Sequence, residues 1–219
     1  MVRSGSSSVP SQIALPLSIG TSGEGAGNAP RIVVGDANSS AIEALRSPDT
    51  WPFNAAILTG PPRSGKSLLG RWARSQGIGV IDGADALEET EVFHRWNAVQ
   101  EGGSQAGERL LLIADKRPWE IRLPDLRSRL GGSLQIEIGE PDDDMAAALI
   151  AAHAEQRGLL LAHDAADYLV PRARRSFAAI EELVAAIDRI SLERAVPATM
   201  SIWRAALEAL EGPDQKRLL

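Results

Sequence analysis

Residues 60–67 read Gly-Pro-Pro-Arg-Ser-Gly-Lys-Ser. Two glycines five positions apart, followed at once by a lysine and a hydroxyl residue, fit a phosphate-binding loop. The glycines let the chain turn so that successive backbone N–H groups converge on one phosphate. The positive end of the next helix points at the same place. Lys66 then reaches the β- and γ-phosphates, and Ser67 offers its hydroxyl to Mg²⁺. Such a loop requires a buried strand before it and a helix after it. The apolar run at 54–59 supplies the strand. Leu68, Leu69, Trp72 and Ala73 recur at helical spacing beyond the loop, and Gly77 closes that helix. Gly60, Pro61, Pro62, Arg63, Ser64, Gly65, Lys66 and Ser67 are therefore candidate nucleotide contacts.

The surrounding pattern alternates strand and helix. Residues 78–81, 110–114 and 134–138 are short apolar strands, and 87–99 and 124–130 read as helices between them. Ahead of the loop, 32–34 is extended, and Asp36 is placed to cap a helix carrying Ala41, Ile42 and Leu45. Pro48 and Pro52 bound a loop around Trp51, and 102–107 reads as a turn. After Pro141 only helices follow. Asp142, Asp143 and Asp144 suit a helix start and Gly158 its stop. Residues 164–170 form a short helix. Ser176 caps a longer one with Phe177, Ile180, Leu183, Val184 and Ile187, and a last helix follows Pro197. Residues 1–30 are rich in Ser, Gly and Pro, too poor in apolar groups to offset their ordering entropy. They read as a disordered tail interrupted by an apolar island, Gln12-Ile13-Ala14-Leu15-Pro16-Leu17. The expected plan is a tail (1–30), an α/β nucleotide-binding domain (31–139) and a small all-α domain (140–219).

Two strand-end acids extend the candidate site. Asp82 sits where a Mg²⁺-organising Asp is usually found. Gly83 follows it, not a second acid, and Asp85 is near but not adjacent. With no carboxylate beside Asp82 to polarise water, weak or no intrinsic hydrolysis is expected. Asp115 is placed to sense a γ-phosphate, and its spacing equally suits a turn residue before Pro118.

Composition narrows the class further. The 219 residues carry a formal net charge of −6, so no global field draws them to nucleic acid, and a stand-alone DNA binder is disfavoured. The absence of cysteine excludes disulfides and thiolate metal sites and points to a reducing compartment. No apolar run is long enough to cross a bilayer, and the first residues lack the apolar core of a secretion signal. A cytoplasmic protein with no membrane partner is expected. His94, His153 and His163 are scattered without ligand-like pairing, and the Trp residues read mostly as core.

The order of these segments resembles a known family. Val-Val-Gly-Asp-Ala-Asn (33–38), the phosphate loop, Ile-Asp-Gly-Ala-Asp (81–85), Leu-Ile-Ala-Asp-Lys-Arg-Pro (112–118) and Leu-Pro-Asp-Leu-Arg-Ser-Arg-Leu (123–130) are followed by a Glu-Pro joint and a helical lid. This is similar to the DnaA-related AAA+ ATPases, and within them to the Hda-type regulators in a short form. The resemblance implies ADP or ATP with Mg²⁺ as ligand, Ser67 and Asp82 meeting the metal. It implies that Gln12, Leu15, Pro16 and Leu17 form a peptide that binds the DNA polymerase sliding clamp. Leu15 and Leu17 would fill an apolar pocket, and Pro16 would limit the ordering cost. It implies that Arg129 is an arginine finger offered in trans, with Arg127 as the alternative. The implied function is a regulatory adaptor of replication that promotes hydrolysis of DnaA-bound ATP and prevents over-initiation, near the nucleoid and replisome. Homo-oligomerisation is left open.

Departures from that pattern matter. Fifteen residues (67–81) separate Lys66 from Asp82, where a fuller DnaA-type domain places an extra strand and helix. A reduced sheet of four main strands is expected. The lid arginine that touches nucleotide in the family falls on Ala178 here, and Arg175 is the candidate substitute, against a plain solvated basic turn. No residues remain after the lid for a DNA-binding domain, so no direct sequence-specific DNA contact is expected. The alternatives are a helicase-loader-like AAA+ protein and a small-molecule P-loop kinase.

Overall fold

A computed structural model describes residues 11–13, 32–101, 109–116 and 118–211. The expected turn at 102–107 lies outside these residues, as does the tail except for Ser11–Ile13. The chain divides into two units, one built mainly from Asp36–Gly139 and one from Glu140–Leu219 together with Val33–Gly35. Strands β1 (Ser11–Ile13) and β2 (Ile32–Val34) pair in a small sheet of their own.

The α/β unit runs α1 (Asp36–Arg46), β3 (Ala55–Thr59), α2 (Lys66–Ser75), β4 (Gly79–Asp82), α3 (Glu89–Gln100), β5 (Leu110–Ile113), α4 (Pro124–Gly132) and β6 (Leu134–Glu137). The strand order is β4-β5-β3-β6, and every pair is parallel. This is the reduced four-stranded sheet that the short 67–81 interval predicts. β3 has a partner on both sides, so Ala55 through Leu58 are all buried, which explains a continuous apolar run rather than an alternating one. Ala55, Ile57, Leu110 and Leu112 gather with Val92, Trp96 and Val99 of α3 and with Leu126 and Leu130 of α4. α2 approaches closely: a Cβ added to Gly70 would lie 2.7 Å from Ile113 Cδ1.

β4 is an edge strand. Gly79 N–H donates to Arg109 O at 2.9 Å on the inner side. Val80 O accepts a hydrogen bond from Arg74 Nη2 at 3.1 Å. Alternate residues of a parallel strand bond to opposite sides, so Arg74 occupies a carbonyl on the outer rim. Ahead of β3 the loop tightens into two single turns, Pro48–Thr50 and Pro52–Asn54. Phe53 and Asn54 there take left-handed backbone, with φ of 54° and 49°.

The helical unit contains α5 (Asp143–Gln156), α6 (Ala165–Leu169), α7 (Phe177–Arg194) and α8 (Met200–Glu211). Asp142 caps α5 by accepting Met145 N–H at 2.7 Å, and Ser176 caps α7 by accepting Ala179 N–H at 3.2 Å. Ile150, Leu169, Ile180, Leu183, Val184, Ile187 and Trp203 form its core. No helix among the described residues is long and apolar enough to cross a membrane.

Candidate phosphate-binding site

The loop begins where β3 ends. Gly60 must be glycine, because a Cβ there would lie 2.8 Å from Ile138 Cβ and 3.1 Å from Ser64 Oγ. Arg63 and Gly65 both take positive φ, 64° and 85°. That geometry turns the chain into the first residue of α2, Lys66. Ser64 and Lys66 are buried, at 5% and 7% exposure. Among the described residues Ser64 Oγ has no hydrogen-bond partner. A buried hydroxyl left unpaired costs free energy, and an anion in the loop would relieve it.

Lys66 Nζ donates to Gly60 O and Pro61 O, each at 3.0 Å, and pairs with Asp115 Oδ1 at 3.0 Å. An ammonium has three donors. All three are engaged, so an incoming phosphate must displace at least one of these oxygens. The sequence candidates Lys66 and Asp115 are thus in direct contact. Asp82 ends β4 in register with Ile113 of β5, two residues before Asp115. Ser67 follows Lys66 in the first turn of α2 and is exposed. Together the unpaired Ser64 hydroxyl, the Gly60 cradle and Lys66 fit a phosphate group, with Ser67 and Asp82 available to a Mg²⁺ ion that accompanies it.

Asp115 is itself held from behind. Its backbone N–H donates to Asp85 Oδ1 at 3.1 Å, and Lys116 N–H donates to Asp85 Oδ2 at 2.9 Å. A second carboxylate repeats the device further along. Glu89 accepts Arg122 N–H at 2.8 Å and Leu123 N–H at 2.6 Å. The backbone N–H groups of Arg122 and Leu123, with smaller help from the Arg122 and Arg127 charges, hold the Glu89 carboxyl below its ordinary range.

The arginine candidates differ in setting. Arg129, in the last turn of α4, donates to Asn97 Oδ1. Its guanidinium lies 4.6 Å from the Phe93 ring centre and 4.9 Å from that of Trp96. Among the described residues it has no carboxylate partner. Arg127 turns back on its own loop, its Nε donating to Ile121 O at 2.8 Å. Arg175, in the helical unit, pairs with Asp143 at 2.8 Å. Gln12 lies in β1, and Leu15, Pro16 and Leu17 lie outside the described residues.

A family model described as the lid domain of Hda matches residues 142–204. Domain III of the replication initiation protein DnaA from Thermotoga maritima matches with a TM-score of 0.67 at 14% identity, covering 82% of this chain and 95% of that one. Residues 142–204 are thus similar to the Hda lid, and the chain has the fold of DnaA domain III. AMPPCP-bound DnaA from Aquifex aeolicus shares the AAA+ fold at a TM-score of 0.55 and 19% identity, over 74% of this chain and 67% of that one. The Thermotoga maritima RuvB Holliday junction branch migration motor does so at 0.55 and 14%, over 80% and 67%. The AAA+ core thus comprises the parallel sheet with its flanking helices, and the α5–α8 unit carries the lid match.

Within this AAA+ frame, sequence reasoning located the loop and its two strand-end acids. It passed over Asp85, noted only as not adjacent to Asp82, and gave Asn97 no role. The available signal for Asp85 was a glycine and a second acid three residues past a strand-end Asp.

Proposed function

We propose that this AAA+ protein is a regulatory adaptor of chromosome replication, in which the loop holds ADP or ATP and Arg129 acts on DnaA-bound ATP. The lid match to Hda is the observation that carries the reading. Lys66 and Ser64 would contact phosphate oxygens, while Ser67 and Asp82 would meet Mg²⁺. The metal would offset phosphate charge, and the chain's own part is to orient the nucleotide. Arg175 would release Asp143 to reach the nucleotide in place of the lid arginine missing at Ala178. The Gln12–Leu17 peptide would dock on the sliding clamp, bringing Arg129 to DnaA and limiting repeated initiation.

Arg129 suits the finger role on chemical grounds. Stacking uses the faces of a guanidinium and leaves its in-plane N–H groups for hydrogen bonding. Asn97 Oδ1 engages Nη1, and among the described residues no carboxylate claims the other N–H groups, which would serve a developing phosphoryl charge. Turnover of DnaA-bound ATP in the presence of DNA-loaded clamp tests this. Wild type is expected to accelerate turnover, and Arg129→Ala to lose about 10³-fold or more of the acceleration. Arg127→Ala should keep it. Equal stimulation by Arg129→Ala overturns the finger assignment. Clamp capture that survives Leu15→Ala with Leu17→Ala overturns the docking peptide.

A further inference from the structure

Asp85 lies outside the phosphate loop, yet it fixes the residue that faces the loop's lysine. Both of its carboxylate oxygens accept successive backbone N–H groups, those of Asp115 and Lys116, at 3.1 and 2.9 Å. Lys116 Nζ returns a bond to Asp85 O at 3.4 Å. The sheet alone cannot place Asp115. Its last bond on this side runs from Ala114 N–H to Leu58 O at 3.0 Å, and the chain leaves β3 after it. From there Asp115 is held by Asp85 at its backbone N–H and by Lys66 at its carboxylate.

The turn that delivers Asp85 also accounts for Gly83. Gly83 has φ +72° and opens the single turn Ala84–Ala86. That left-handed conformation disfavours most residues with a Cβ, Asn and Asp least.

The chemistry of Asp115 gives this brace a consequence. Its carboxylate sits 3.0 Å from Lys66 Nζ, the ammonium that the loop offers to phosphate. Carboxylate and phosphate compete for that cation and repel each other. A triphosphate brings more negative charge to this place than a diphosphate does.

We propose that Asp85 is a positioning residue that acts through Asp115, holding its carboxylate on Lys66 and so biasing the site toward nucleoside diphosphate over triphosphate. The proposal rests on the nucleotide-binding reading above. The test measures ADP and ATP affinities of the full chain by calorimetry for wild type, Asp85→Ala, Asp85→Asn and Asp115→Asn, and for Asp85→Ala combined with Asp115→Asn. Asp85→Ala should move the ATP-to-ADP affinity ratio toward ATP by about tenfold, the scale of one charge-assisted hydrogen bond. Asp85→Asn keeps one acceptor and should move it less. In the Asp115→Asn background Asp85→Ala should leave the ratio unchanged, which a merely structural residue would not do. Amide exchange in the nucleotide-free chain gives a readout independent of nucleotide: the N–H groups of Asp115 and Lys116 should exchange faster in Asp85→Ala and Asp85→Asn than in wild type. An unchanged ratio, a shift toward ADP, an equal shift without the Asp115 carboxylate, or unchanged amide exchange overturns the proposal. Wild type that binds neither nucleotide overturns the nucleotide-binding reading itself, and the amide exchange still decides whether Asp85 is the brace.

Discussion

At the level of single residues, the phosphate loop shows how little room its chemistry leaves. Gly60 has Ile138 behind it at a distance no Cβ can share, so Gly60→Ala must push β3 and Ile138 apart. The expected result is a loss of about 1–3 kcal/mol, the range for overpacking, measured by denaturant unfolding. Lys66→Ala should abolish nucleotide binding, because it removes the ammonium that the loop holds at Gly60 O, Pro61 O and Asp115. The loop was legible in sequence because its glycines, lysine and serine are contiguous. Asp85 and Asn97 were not legible. Their partners lie 30 and 32 positions away, and only the strand order brings them together. The glycine and second acid past Asp82 mark a turn at Asp85, but not the partner 30 positions away that makes it a brace.

Among the elements, the connection from β5 to α4 depends on side chains of α3 and the turn before it. Glu89 holds the far end of this connection through two backbone N–H groups. Its carboxyl titrates lower in the folded chain than in the unfolded one. The resulting stabilisation is fully present above the ordinary carboxylate range and is lost as pH falls through the folded value. Thermal melting of wild type should therefore decline more steeply with acid than that of Glu89→Gln, and parallel pH profiles would show that the staple does not contribute. The caps of the lid are the counterpart on the helical side. Ser176→Ala should cost about 1 kcal/mol in unfolding free energy, since Ala179 N–H loses its acceptor. Strands such as β3 and β5 could be read directly, because burial on both faces leaves only apolar residues. The left-handed pair Phe53–Asn54 could not, because Asn is enriched at positive φ but Phe, which starts the pair, is not.

For the whole chain, ligand binding and folding are linked. If ADP occupies the loop, a concentration of 100 times its Kd should stabilise the protein by about 2.7 kcal/mol. That corresponds to a rise in Tm of roughly 5–10 °C for a chain of this size. A flat melting curve across an ADP titration would argue against occupancy. The four-stranded sheet carries a different liability. With no strand beyond β4 among the described residues, its outer backbone groups face away from the sheet, and Arg74 on Val80 O occupies part of that rim. Arg74 is thus a guard against unwanted self-templating as much as a surface charge. Its replacement by alanine should leave the chain folded yet lower the concentration at which light scattering first rises, so the colloidal behaviour of this small α/β protein depends in part on one guanidinium at the margin of its sheet.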